Sequence, residues 1–285
     1  MTAITIDGKA IAQQTRLALK HRLEQRRKQN LVTPGLAVIL VGEDPASQIY
    51  VRNKRDACRE SGINSFSYDL PQHTTELELL SLVTTLNADQ KVHGILIQLP
   101  LPRSINTGRI IDCIDPRKDV DGFHPNNLGL LAQGRPFLRP CTPYGVMHLL
   151  AHEKISLKGL NAVIVGTSNI VGKPMALELL NAGCTITLCH SATRNLQQSI
   201  QHADLLVSAI GKAGVIQSHW IKPGAIVIDI GITRGINGKL HGDIEFATAK
   251  EIASYITPVP GGVGPMTVAM LLENTLFAAE HKSIE

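Results

Sequence analysis

Apolar residues fall along this chain in short unbroken runs that alternate with stretches of helical spacing. Residues 36–41 (LAVILV) form a compact, β-branched-rich run, the composition of a strand buried on both faces. Residues 47–61 follow with helical character and stop at Gly62, and SFSYDL is a short extended piece. TTELELLSLVTTLN reads as an amphipathic helix that Thr74 or Thr75 can cap. GILIQLPLP then reads as a buried strand ended by prolines. Strand–helix–strand–helix–strand predicts a parallel sheet.

The second half repeats this order. NAVIVG is a strand, KPMALELLNAG a helix ending at Gly183, TITLCH a strand, NLQQSIQHA a short helix, and DLLVSAIG and AIVIDIGI two more strands. The segment between the halves, PRKDVDGFHPNNLGLLAQGRPFLRPCTP, is rich in Pro, Gly and Asn and marks a boundary. A helix over roughly 143–153 leads out of it. The closing stretch, MTVAMLLENTLFAAE, is a strongly apolar helix that cannot complete the second sheet as a strand. It is expected to pack back on the first domain. The predicted fold class is α/β: two three-layer α/β domains, one from residues 1–140 plus 265–285, the other from 141–264.

Composition narrows the function classes. The chain has 285 residues, 44% hydrophobic and 18% charged, enough apolar content for two cores. Its formal net charge of +4 is spread without runs and only 4% of residues are aromatic. Both facts argue against a nucleic-acid surface and leave anionic small molecules as partners. No apolar stretch approaches the roughly 20 residues of a membrane span, and MTAITIDGKAIAQQ lacks the apolar core of a leader. The five cysteines include no C-x-x-C pair, which fits reduced thiols in a cytoplasmic protein without structural zinc. The eleven histidines are scattered and no G-x-S-x-G elbow occurs.

Six places could carry chemistry. In VIVGTSNIVGKP, Gly166 ends a strand and Gly172 opens a helix, so backbone N–H groups and the helix dipole face an anion. Ser168 and Val171 hold the second and third glycine positions of the dinucleotide fingerprint, so the motif stands on its strand–turn–helix context; an ordinary tight turn is the alternative. The next strand ends at His190-Ser191 with no acid for a ribose hydroxyl. His190, Ser191 and Arg194 there suit a 2′-phosphate, favouring NADP over NAD, or else they form a solvated loop. Tyr50 and Lys54 share a helix face. A lysine aimed into a cleft can move a proton, whereas a surface lysine would lay its stem over Tyr50. Arg52, Arg55 and Arg59 are expected on solvated faces. Gln98 interrupts an apolar run at the carboxyl end of an expected central strand, either to orient Lys54 or to bond backbone in the core. Asp119 and Asp121 in KDVDG make a turn or offer a carboxylate to paired N–H groups of a heterocycle. Gly261, Gly262 and Gly264 let a flat ligand approach the backbone, or form a hinge.

Taken in order, VGEDPASQIYVRNK, GILIQLPLP, PRKDVDGFHPNNLG, PCTPYGV, VGTSNIVGKP and YITPVPGGVGPMTVAMLLENT closely resemble the bifunctional methylenetetrahydrofolate dehydrogenase/methenyltetrahydrofolate cyclohydrolase family. The resemblance covers essentially the whole chain. It implies a homodimer, a catalytic domain followed by a Rossmann-type NADP domain, and a folate cleft between them. It implies oxidation of 5,10-methylenetetrahydrofolate and hydrolysis of the methenyl product to 10-formyltetrahydrofolate, a one-carbon supply for purine biosynthesis. By matching motifs, Lys54 is the catalytic lysine, Tyr50 stacks on the pterin, Gln98 adjusts Lys54 and Asp121 holds the pteridine ring. Pro260, Gly261 and Gly262 line the folate site; Gly166, Thr167, Ser168, Ser191 and Ile232 contact the dinucleotide. Two departures bear on cofactor preference: Thr167 stands where many members have arginine, and Ala192 where many have a second basic residue. The competing readings are a shikimate- or amino-acid-type Rossmann dehydrogenase and a non-catalytic dinucleotide-binding regulator.

Overall fold

A computed structural model describes residues 2–235 and 238–281. In chain order the elements are β1 (Ile4–Thr5), α1 (Gly8–Lys28), β2 (Gly35–Val41), α2 (Pro45–Ser61), β3 (Asn64–Leu70), α3 (Glu76–Ala88), β4 (Gly94–Ile97), α4 (Thr107–Cys113), α5 (Pro125–Ala132) and α6 (Cys141–His152). There follow β5 (Asn161–Val165), α7 (Gly172–Asn181), β6 (Thr185–Cys189), α8 (Leu196–Gln201), β7 (Leu205–Ser208), β8 (Ile226–Asp229), β9 (Thr233–Arg234), β10 (Leu240–His241), α9 (Phe246–Lys250), β11 (Tyr255–Ile256) and α10 (Val263–Glu280). The chain divides into two compact units, Gln13–Cys141 with Val268–Glu285, and Met1–Ala12 with Thr142–Thr267.

The first unit is built on a three-stranded parallel sheet in the order β3-β2-β4. All seven residues of β2 are buried, as an unbroken apolar run requires. Ala37, Ile39 and Val41 meet Leu79, Val83 and Leu86 of α3 and Ile110 of α4 in one core. The α3 helix starts with a full capping box between Thr75 and Glu78, and α2 stops at Gly62 in the left-handed region (φ 89°). β4 lies at an edge of the sheet rather than at its centre, and its outer side is bridged at Ile95 by Asp119 of the KDVDG segment. The C-terminal helix contributes its residues from Val268 onward to this unit. Arg22 of α1 pairs with Glu273 at 2.7 Å, and Asn274 Nδ2 donates to the Val120 and Arg139 carbonyls at 2.8 Å each.

The second unit is a six-stranded sheet, β1-β11-β8-β7-β5-β6, parallel throughout. Chain order reverses between β5 and β7, the switch point of a doubly wound sheet. Its first strand corrects one expectation. Residues 1–12 group here and not with the N-terminal half, because β1 pairs with β11. The start of α1 is locked to the same place. Lys9 N donates to the Gly261 carbonyl at 2.9 Å, and a Cβ on Gly8 would lie 1.8 Å from the Gly262 oxygen.

Candidate active site

In the first unit, α2 and the end of β4 bring together two side chains that are 44 residues apart in sequence. Lys54 Nζ donates to Gln98 Oε1 at 3.1 Å. The amide's other end donates to the Leu99 carbonyl at 2.7 Å, and the Gln98 backbone N–H bonds Ile39 O of the central strand at 2.9 Å. Gln98 is thus anchored to backbone at one end and meets the lysine at the other. Such a bond to a charged donor is worth about 1.5–3 kcal/mol. Asp44 and Pro45 fix the start of α2, with the Asp44 carboxylate accepting from Ser47 N at 2.8 Å. Tyr50, one turn before Lys54, is 41% exposed. Of the flanking arginines, Arg55 is not simply solvated but forms a two-pronged pair with Asp69, and Arg59 pairs with Asp56.

The two aspartates of KDVDG separate into different jobs. Asp119 is buried, and its Oδ2 accepts from His124 N (2.8 Å) and Asn127 Nδ2 (2.9 Å), the turn-forming role. Lys118 holds the same segment from the other side, donating to the carbonyls of Leu86, Asn87 and Asp89 at 2.7–2.9 Å. Asp121 differs: among the described residues none donates a hydrogen bond to its carboxylate. Burial pushes its carboxyl up to about 6, with the Lys54 charge pulling it down and Asp119 adding to the push. Ile97, Leu99, Leu101 and Phe123 line a small recess together with Asp119 and Asp121. Gly122 (φ 76°) admits no side chain, since a Cβ would meet the Arg139–Pro140 peptide at 2.5 Å. A carboxylate against apolar walls, with a hydrogen-bonded ammonium near it, suits a flat heterocycle with paired N–H donors and a reaction that moves a proton.

In the second unit the glycine turn connects β5 to α7. Gly166 takes φ 122°, and a Cβ there would lie 2.3 Å from the Ala209 carbonyl oxygen after β7. A Cβ on Gly172 would lie 1.9 Å from Gly166 O. Gly172 thus provides the close helix–strand approach one residue later than the usual fingerprint, which explains why Val171 is tolerated. Ser168 Oγ accepts from Val171 N (3.2 Å) and Gly172 N (3.3 Å) at the helix start. After β6, Thr193 Oγ1 accepts from His190 N at 2.8 Å and His190 Nδ1 accepts from Ala192 N at 3.1 Å. His190, Ser191 and Arg194 are exposed on this turn, and Ile232, after β8, is 40% exposed. Pro260, Gly261 and Gly262 belong to this unit, where Gly261 (φ 104°) is open and a Cβ on Gly262 would meet Pro258 O at 2.5 Å. Among the described residues no group of acidic, Cys and His side chains could hold a metal ion, and no helix is long and apolar enough to cross a membrane.

Sequence reasoning does not reach Lys118, Asn274 or a pair of buried carboxylates, Asp229 and Asp243, in the second unit. Asp229 carried a signal, as the lone acid in AIVIDIGI. Burial pushes it up to about 7, opposed by three backbone N–H groups, with Asp243 adding to the push.

Two family models match the chain in sequence. Residues 6–121 match the catalytic domain of tetrahydrofolate dehydrogenase/cyclohydrolase, and residues 140–283 match its NAD(P)-binding domain. The bifunctional methylenetetrahydrofolate dehydrogenase/cyclohydrolase FolD of Campylobacter jejuni is 49% identical, superposes with a TM-score of 0.96, and shares 98% of this chain and 99% of its own. The Trypanosoma brucei enzyme, described with NADP cofactor and inhibitor, is 38% identical over all of both chains with a TM-score of 0.95. A shikimate dehydrogenase from Aquifex aeolicus shares the fold alone, at 15% identity and a TM-score of 0.52 over 89% of this chain and 98% of its own. With both domains matched in order, this chain belongs to the tetrahydrofolate dehydrogenase/cyclohydrolase family and is a bifunctional oxidoreductase and hydrolase of one-carbon folates.

Proposed function

We propose that the protein oxidises 5,10-methylenetetrahydrofolate with NADP and hydrolyses the methenyl product to 10-formyltetrahydrofolate. In this reading Lys54 is the proton-handling residue, Gln98 holds it, Tyr50 stacks on the pterin and Asp121 binds it. The observation that carries it is the Lys54–Gln98 bond in a unit where, among the described residues, none donates a hydrogen bond to the Asp121 carboxylate. The substrate's own nitrogen lone pairs drive the oxidation, so the protein's task there is alignment. When bound, NADP supplies the electron acceptor. Hydrolysis differs: water adds to the cationic methenyl carbon, a C–N bond breaks, and of the two protons that leave the water one reaches the freed nitrogen and one passes to solvent. An amine held by one fixed acceptor can carry them.

The residues around the glycine turn fit a dinucleotide: a Cβ on Gly166 or Gly172 would run into the Ala209 or Gly166 carbonyl oxygen, so only glycine lets the helix start approach the strand end this closely. NADP is favoured over NAD because β6 is followed by His190, Ser191 and Arg194 with no acid among them. The NADP held by the Trypanosoma relative points the same way. Thr167 and Ile232 complete the proposed contacts, and Pro260, Gly261 and Gly262 are proposed to offer backbone to the folate. A homodimer in the cytoplasm that feeds purine biosynthesis belongs to the same proposal, on the strength of the family resemblance.

The cofactor part is tested by Thr167→Arg. A charged two-pronged contact to the 2′-phosphate is worth on the order of 1–3 kcal/mol, so the KM for NADP should fall by about tenfold and that for NAD should stay nearly constant. Steady-state kinetics with both cofactors measures it. A wild-type enzyme that uses NAD more efficiently than NADP would assign His190 and Ser191 to the ribose hydroxyl instead.

A further inference from the structure

Asp229 and Asp243 are buried carboxylates that the proposed chemistry does not use. Asp229, the last residue of β8, accepts from Gly231 N (3.0 Å) and Asp243 N (3.1 Å) on Oδ1 and from Ile244 N (2.9 Å) on Oδ2. Asp243 accepts from Ser208 Oγ (2.7 Å), Ile210 N (2.8 Å) and Gly211 N (3.3 Å) on Oδ2, and from Lys212 N (2.8 Å) on Oδ1. Two glycines make room. A Cβ on Gly231 would lie 2.0 Å from Asp243 Oδ1, and one on Gly242 would lie 2.1 Å from Asp229 Oδ2. The two carboxylates therefore stitch the loop after β7, the turn after β8 and residues 242–244 into one body, at places where the sheet ladder has ended.

Those places matter because an open parallel sheet binds its ligand outside the carboxyl ends of its strands, at the switch point. Here that point lies between β5 and β7. Ala209, inside the stitched loop, is the residue against which Gly166 packs, and Ile232 follows directly on Gly231. We propose that Asp243, braced by Asp229, is a positioning residue for the dinucleotide: it fixes the loop after β7 and the turn bearing Ile232 before the cofactor arrives. The inference rests on the reading of this unit as the NADP-binding one. A loop that had to be ordered during binding would take that ordering cost out of affinity.

Asp243→Asn keeps the shape but sets an amide NH2 against groups that are themselves donors. The KM and Kd for NADP should rise by about tenfold or more, with kcat at saturating NADP changed far less. Cyclohydrolase activity on methenyltetrahydrofolate, assayed without NADP, should stay within about twofold, since its proposed proton-handling pair, Lys54 and Gln98, lies in the other unit and Asp243 bonds none of Pro260, Gly261 and Gly262. Ser208→Ala removes one donor and leaves three backbone bonds to Asp243; it should move the same constants the same way by about threefold, and it serves if the asparagine variant does not fold. Unchanged NADP constants in a wild-type background that binds NADP would overturn the clasp, and so would parallel loss of both activities, which marks a purely structural role. A wild-type protein with no affinity for NADP would overturn the cofactor reading itself.

Discussion

Lys54→Gln is expected to lower cyclohydrolase activity by about two to four orders of magnitude, the usual worth of a positioned acid–base group, while leaving the dehydrogenase measurable. The asymmetry comes from the two reactions. Loss of hydride from the methylene carbon is driven by electrons already on the substrate's nitrogens, whereas hydrolysis must take protons from water and deliver one to a nitrogen. Glutamine retains a polar end that can meet Gln98 but carries no ionisable proton. Methenyltetrahydrofolate should accumulate in the variant and be seen directly by its absorbance. Equal loss of both activities in a variant that still binds folate would remove the division of labour.

Asp121→Ala should raise the KM for folate without comparable loss of kcat. A carboxylate meeting two ring N–H donors makes charge-assisted bonds worth roughly 1.5–3 kcal/mol each, so losing the pair predicts a rise on the order of a hundredfold or more. The same group predicts a pH dependence. Its carboxyl sits at about 6, raised by burial and then modulated by Lys54 and Asp119. The ionised form accepts from the ring, so kcat/KM should fall as pH drops through about 6 and hold above it. Asp121→Ala should flatten that acid limb. Binding titrations that show unchanged folate affinity in the variant would reduce Asp121 to a turn residue like its neighbour Asp119.

The strands that position the site are readable from sequence because each is a largely apolar run: β4, β5, β7 and β8 lie inside runs that pattern alone picks out, and β2 exceeds its run only by Gly35. The two-residue strands β1 and β11 are too short for any periodicity, and only their pairing reveals that the N-terminus belongs to the six-stranded sheet. Helix α1 does carry a stripe, with Gly8, Ile11, Ala12, Leu19 and Leu23 buried, but it is narrow, and the charged positions around it mask it. Within the site, Gln98 stands out because it interrupts an apolar run, whereas Lys54, one of four cations between Arg52 and Arg59, does not; its place beside Gln98 is legible only through the family resemblance. Asp119 and Asp121 could not be told apart, since their difference is one of direction at a turn. Asp229 and Asp243 lie on either side of the β9–β10 hairpin, and nothing local in the sequence brings them together.

The central claim is that one chain performs both steps. The measurement that tests it most directly is a time course of the purified protein with 5,10-methylenetetrahydrofolate and NADP, following NADPH, the methenyl species and the formyl product together. The account predicts NADPH and 10-formyltetrahydrofolate formed in equal amounts, and formyl product from methenyltetrahydrofolate alone at a rate above the uncatalysed one. NADPH formation with the methenyl species decaying only at its uncatalysed rate, or no NADPH at all, would contradict it.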